Sequence, residues 1–234
     1  MEPLPRFINI EMFSRLSIII IAGLGFVYTS AAQSDSLIHV GHLSYDILYN
    51  TRYNCPSVVF WVLQMKDLGR YSQGQHIAFM EDLETPRPRV KSSDYSGTGF
   101  HRGHLCPAGD RGSTYEKWFD TFFMSNVAPM APRLNTGSWK ATEDECRSMV
   151  KTGCHLLITA IPLWIDSISP DIGKTKIRVP SHFYKKALCV SHQDHVIHWL
   201  MRNTQDKQSM PSCVITADSA RSILQNVRTS VFTK

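Results

Sequence analysis

Twelve consecutive residues, Phe100-His101-Arg102-Gly103-His104-Leu105-Cys106-Pro107-Ala108-Gly109-Asp110-Arg111, constrain this chain more than any other stretch. They hold two histidines, two arginines, an aspartate and two glycines. Burying a bare charge is costly, so a fold must hydrate these groups or build partners for them. Histidine can take and return a proton near neutrality. Arginine offers a rigid fork of donors that matches phosphate oxygens. Glycine lets the backbone approach a ligand closely. The segment therefore points to a site that handles a phosphate and moves a proton.

Phosphodiester hydrolysis needs a base to activate water, a cation to carry developing charge, and donors for the remaining phosphate oxygens. His104 suits the base, and Arg102 and Arg111 suit the phosphate. An ion pair between Arg111 and Asp110 is the alternative use of both. Magnesium keeps several waters, so it asks for few protein ligands. The amide oxygen of Asn135 would serve, with Glu143 gripping a metal-bound water from about two helical turns further on. Asn135 is equally suited to capping the helix it opens.

The pattern on either side of this stretch predicts an α+β fold, a mostly antiparallel central sheet flanked by helices. Ser57–Gln64 and His155–Ile161 read as buried strands. Phe122–Val127 reads as a strand, and Phe183–Val190 with His195–Met201 as an antiparallel pair. Helices are predicted around Thr114–Thr121, from Asn135 through Val150, and over Ala217–Val227. Glu81–Gly97 reads as a long loop with little regular structure.

The ends and the cysteines bear on location. Leu16–Val27 is nearly all apolar, with Arg15 before it and Thr29-Ser30-Ala31-Ala32 after it. That is the layout of a secretory signal, too short for a membrane span. Residues 1–32 are thus expected to be removed, leaving 33–234 as one domain with no stable membrane association, secreted or periplasmic. The removed part carries Glu2, Glu11, Arg6 and Arg15, so the formal charge stays at +5. This mild excess suits a polyanion without requiring one. Six cysteines suit disulfides in an exported protein, with Cys146–Cys154 and Cys189–Cys213 as plausible local pairs.

The segment Gly99–Pro107 resembles the Asp-Arg-Gly-His signature of the DNA/RNA non-specific endonucleases, which are ββα-metal (His-Me finger) nucleases. The likeness extends to Asp94–Gly99 before it and Thr121–Pro129 after it. It continues through Leu134-Asn135 with Trp139 and Glu143, and Val179–Lys185. It covers roughly residues 56–226, most of the chain beyond the signal. The resemblance implies that His104 is the general base and that Asn135 binds Mg2+, with Mn2+ as an alternative. It implies that Glu143 acts through a metal-bound water, that Arg102 contacts the phosphate, and that Asn126 supports the site. DNA and RNA would be substrates, products would carry 5′-phosphates, and a homodimer is compatible. His101 stands where the family has aspartate.

Two other readings of the same residues remain. The histidine at position 101 would suit a nuclease-like protein that binds nucleic acid but has lost cleavage. A zinc hydrolase could use His101, His104 and Cys106 or Asp110, although the His-x-x-His spacing is tight. No Gly-x-Ser-x-Gly elbow supports a serine hydrolase.

Overall fold

Runs of β-branched and aromatic side chains become strands where neighbouring layers can cover them. The computed structural model describes residues 20–21, 26–27, 36–72, 77–166, 169–191 and 195–232. In the unit Met1–Asp35, β1 (Ile20–Ile21) pairs antiparallel with β2 (Phe26–Val27). The rest of the predicted signal segment lies outside the described residues. Ser36–Lys234 form a second unit.

That unit is built on a six-stranded sheet. It opens with the hairpin β3 (Leu37–Gly41) and β4 (Asp46–Asn50), then β5 (Cys55–Leu63). A two-stranded ribbon follows, β6 (His101–His104) with β7 (Val127–Met130), enclosing the short helix α1 (Tyr115–Asp120). Next come α2 (Pro132–Leu134), a π turn over Asn135–Trp139, and α3 (Lys140–Lys151). The chain returns to the sheet as β8 (Leu156–Leu163), makes the small pair β9 (Asp171–Ile172) and β10 (Ile177–Arg178), and adds β11 (His182–Cys189) and β12 (Val196–Arg202). Helix α4 (Ala217–Phe232) follows. The sheet order is β12-β11-β8-β5-β4-β3, antiparallel throughout. The fold is α+β, as the pattern predicts.

The core lies where the sheet meets α3. Leu156, Ile158 and Ala160 of β8 are fully buried, as are Val59 and Leu63 of β5. From α3, Cys146, Met149 and Val150 fill the same core. No described helix is long and apolar enough to cross a membrane.

Three local expectations are corrected. Phe122–Asn126 is not strand: Met124–Asn126 forms a 3-10 turn, and the strand begins at Val127. Asn126 bends the chain there, spending its side chain on backbone groups that a ladder would otherwise use. Asn135 does not open its helix. Pro132 does, since its fixed φ suits a first turn, and Asn135 has helical angles of −59° and −44°. The expected local disulfides are absent, because Cys154 bonds Cys189 and Cys146 and Cys213 are free and buried. Cys189 ends the strand that pairs with the start of β8, against Leu156, which puts its Cα 5.5 Å from that of Cys154.

A buried ionic knot ties the β3–β4 turn to the ribbon. His42 Nδ1 lies 3.1 Å from Asp120, and Nε2 lies 3.1 Å from Asp82. Ser125 donates to Asp82, and the His42 ring stacks 4.6 Å from Tyr45. Burial opposes the imidazolium, but hydrogen bonds to both aspartates outweigh it and push the pKa up to about 9. The ordinary value is 6.5, so this stabilisation is complete below pH 6.5 and fades as pH rises through about 9. Replacing His42 with alanine strands two carboxylates and is expected to cost roughly 3 kcal/mol. Urea unfolding at acid and alkaline pH checks both: wild type weakens as pH rises, and the variant loses that dependence.

Candidate active site

The ribbon sets the site residues in register. His104 faces Val127 across it, and His101 faces Met130. Side chains alternate along a strand. Arg102 and His104 therefore share one face, where both meet Phe79. The Arg102 guanidinium lies 6.0 Å from that ring and the His104 ring 4.9 Å from it. Phe122 closes the other side of His104 edge-on at 5.2 Å.

His104 is held as a neutral imidazole. Desolvation by the surrounding rings pushes its pKa down to about 4. Its Nε2 is buried and has no hydrogen-bond partner. A buried polar atom is nearly always paired, so an orphan asks for a reason. With no protein group holding Nε2, the ring is not committed to a structural hydrogen bond there and keeps the proton-transfer capacity that a general base needs. The backbone is fixed from two sides: Trp139 Nε1 donates to the His104 carbonyl at 3.1 Å, and Leu105 N donates to Asn126 O.

Asn126 is fully buried and acts through the backbone. Its Oδ1 accepts from Cys106 N at 2.9 Å, and its Nδ2 donates to the Cys106 and Thr121 carbonyls. It staples the chain leaving His104 and touches nothing outside the protein. Arg102 donates two of its five N–H groups to the Ser92 carbonyl, at 3.2 and 2.8 Å, which leaves the others for an anion.

The π turn delivers the other half of the site. Such bulges shift helical register and recur at functional sites. Gly137 absorbs the distortion at φ −105° and ψ −110°. Asn135 Nδ2 lies 3.3 Å from His101 Nδ1, so the amide's other end, the oxygen, is left for a cation. Glu143 sits in the first turn of α3. Burial raises its pKa to about 7, against the pull of Lys185 and Arg147. Its nearest cation, Arg147 Nη2, is 3.9 Å away, because Arg147 is committed to Asp110 at 2.9 Å and Asp144 at 2.6 Å. Among the described residues no three His, Cys, Asp or Glu side chains converge as a metal cage. One amide oxygen and one carboxylate instead fit an ion that keeps most of its water.

Arg111 is a correction. It is 2% exposed and cannot reach a substrate phosphate. It donates to the Val62 carbonyl at 2.7 Å and pairs with Asp67. The Asp110–Arg111 pair does not form either, since Asp110 binds Arg147 and Trp61. The zinc reading also fails on geometry. His101 is exposed and His104 points to the opposite face of the strand, while Cys106 and Asp110 are buried in the core. Ser125, His42 and Asp120 do connect like a hydrolase triad, but the histidine is 5% exposed and the serine donates to Asp82. They are structural.

Three contributors escaped the sequence reading. Arg147 stands four residues after Glu143, a spacing that places both on one helix face. Lys185 is buried with its Nζ 3.7 Å from the Trp139 ring centre, donating to Thr142. Phe79 has no motif to mark it.

The chain matches the DNA/RNA non-specific endonuclease family over residues 26–229. It is 31% identical to mitochondrial endonuclease G of Bos taurus over 134 residues, 53% of this chain and 45% of that protein. It is 30% identical to a nuclease of Nostoc sp. over 164 residues, 69% of this chain and 58% of that protein. Nuclease C1 of Cunninghamella echinulata var. echinulata is 33% identical over 160 residues, covering 62% of each. The chain thus spans about half the length of the first two relatives. A crystal structure of an EndoG/EndoGI complex matches the fold with a TM-score of 0.71 at 23% identity, over 80% of this chain and 83% of that one. The match spans the ribbon, the π turn and α3, and the chain belongs to the DNA/RNA non-specific endonuclease family.

Proposed function

We propose that this protein is an exported, Mg2+-dependent endonuclease that hydrolyses phosphodiester bonds in DNA and RNA. The observation that carries this reading is the orphaned Nε2 of a neutral His104 beside a half-committed arginine. His104 takes the proton of the attacking water, whose oxygen joins phosphorus as the bond to the 3′ oxygen breaks. The phosphate stays on the 5′ side. The free donors of Arg102 hold the non-bridging oxygens as their charge grows. A divalent cation, Mg2+ or Mn2+, held by Asn135 Oδ1 with Glu143 gripping one of its waters, would offset charge on the phosphate and the leaving oxygen. Phosphate contacts carry no base information, so both polymers are substrates.

The test is plasmid nicking and RNA degradation by the purified protein, with magnesium or with EDTA. Digestion of both polymers with magnesium alone is expected, with 5′-phosphate ends. A folded protein that binds both polymers and cuts neither would favour a binding-only role instead. The contact of His101 with the Asn135 amide is the observation behind that second reading. Export rests on the apolar run Leu16–Val27 with the small residues Thr29-Ser30-Ala31-Ala32 after it, and it suits the Cys154–Cys189 disulfide. N-terminal sequencing of protein from the culture medium is expected to start at Gln33; retention inside cells sinks the export claim. A homodimer is read by light scattering.

A further inference from the structure

The rings behind His104 continue outward to the surface. Phe122 contacts His104 at 5.2 Å and Trp118 at 4.9 Å. Trp118 in turn lies 5.9 Å from Tyr115, which meets Tyr71 edge-on at 6.0 Å. Burial changes along this row. Trp118 is 3% exposed, whereas Tyr115, at the first position of α1, is 45% exposed. The inner rings fill space, so core packing explains them. It does not explain an exposed tyrosine held in place by Tyr71, Trp118 and Phe119.

A cation stands beside it. The Arg70 guanidinium lies 5.1 Å from the Tyr71 ring centre, and its Nη2 donates to the Tyr71 hydroxyl at 3.2 Å. No carboxylate pairs with it among the described residues. An exposed ring with an uncompensated arginine next to it is the combination that holds single-stranded nucleic acid. The base stacks on the ring, and the arginine meets the adjoining phosphate. In a duplex the base faces are covered by stacking within the helix, so such a ring gains nothing from it.

We infer that Tyr115, positioned by Tyr71, is a stacking ledge for an unpaired nucleobase, with Arg70 taking a neighbouring phosphate. The row of rings places the ledge three ring-to-ring steps, 5.9, 4.9 and 5.2 Å, from His104. A strand cut at His104 reaches it within a few nucleotides. The ledge rests on the nuclease reading and adds a preference to it: single-stranded DNA and RNA, or unpaired stretches of a duplex, bind more tightly than closed duplex.

The test is fluorescence anisotropy of the full protein in EDTA, with labelled oligothymidylate and with a labelled hairpin duplex. Tyr115→Ala is expected to weaken oligothymidylate binding by roughly 10-fold and to leave the duplex nearly unchanged. Tyr115→Phe keeps the ring and is expected to bind like wild type, which separates stacking from the hydroxyl. Arg70→Ala is expected to lower single-strand affinity and flatten its salt dependence. Undiminished single-strand binding by Tyr115→Ala overturns the ledge and leaves the nuclease reading standing. Equal loss on both polymers overturns it too. A wild-type protein that binds neither polymer overturns the nuclease reading itself.

Discussion

Replacing His104 with alanine is expected to lower kcat by about 100-fold to 10,000-fold on both DNA and RNA, with KM little changed. In the proposed reaction the imidazole takes the proton of the attacking water. Its pKa of about 4 has a second consequence. A pKa pushed that low keeps the imidazole neutral near pH 6.5, so it sets no acidic limb there. Glu143 can, because burial raises its carboxyl to about 7, and in the proposed site it would grip the metal-bound water only as the carboxylate. Activity should therefore rise as pH increases through about 7 at low magnesium. A bound dication favours the carboxylate, so saturating magnesium should slide this limb to lower pH. In Glu143→Gln the limb should vanish, leaving only the fall toward about 4 that belongs to His104. A profile that keeps a limb near 7 in Glu143→Gln would assign it to another group. The His104→Ala protein should fold as wild type does by circular dichroism, since the ring accepts no hydrogen bond at Nε2.

Removing Asn135 is expected to have the next largest effect. The proposed site takes one direct protein donor, this amide oxygen, so Asn135→Ala should leave no measurable binding of Mn2+ by electron paramagnetic resonance. Glu143→Gln should weaken the same signal by about 10-fold to 100-fold, the usual cost of losing a group that holds a ligand shell in place. Asn135→Asp separates donor chemistry from helix structure. It restores an oxygen at the same position and should bind the ion at least as tightly, yet it breaks the contact from Nδ2 to His101. Equal Mn2+ binding by wild type and Asn135→Ala would remove Asn135 from the metal site. Neither substitution should disturb the fold, because Pro132 rather than Asn135 starts the helix.

The sequence by itself determined the class of fold and most strand and helix positions, and it singled out His104, Arg102, Asn135 and Glu143 as the candidates for base, phosphate-binding arginine and oxygen donors. It could do so because periodicity is local and because Arg102, His104, Asn135 and Glu143 lie in short, ordered segments. Long-range partners were decided only by the tertiary structure. Arg111 reads as a phosphate ligand in one dimension, yet β5 and Asp67 converge on it and bury it. Cysteine spacing favours near neighbours, yet Cys154 and Cys189 meet because β11 returns alongside β8. Asn126 looks like a site residue and is a backbone staple. His42, Asp82 and Asp120 carry no motif and are joined only when the β3–β4 turn reaches α1. Depressed and raised pKa values at His104 and Glu143 belong to the same category. Residue type supplies the titratable group, but desolvation depends on which rings and strands the fold stacks around it.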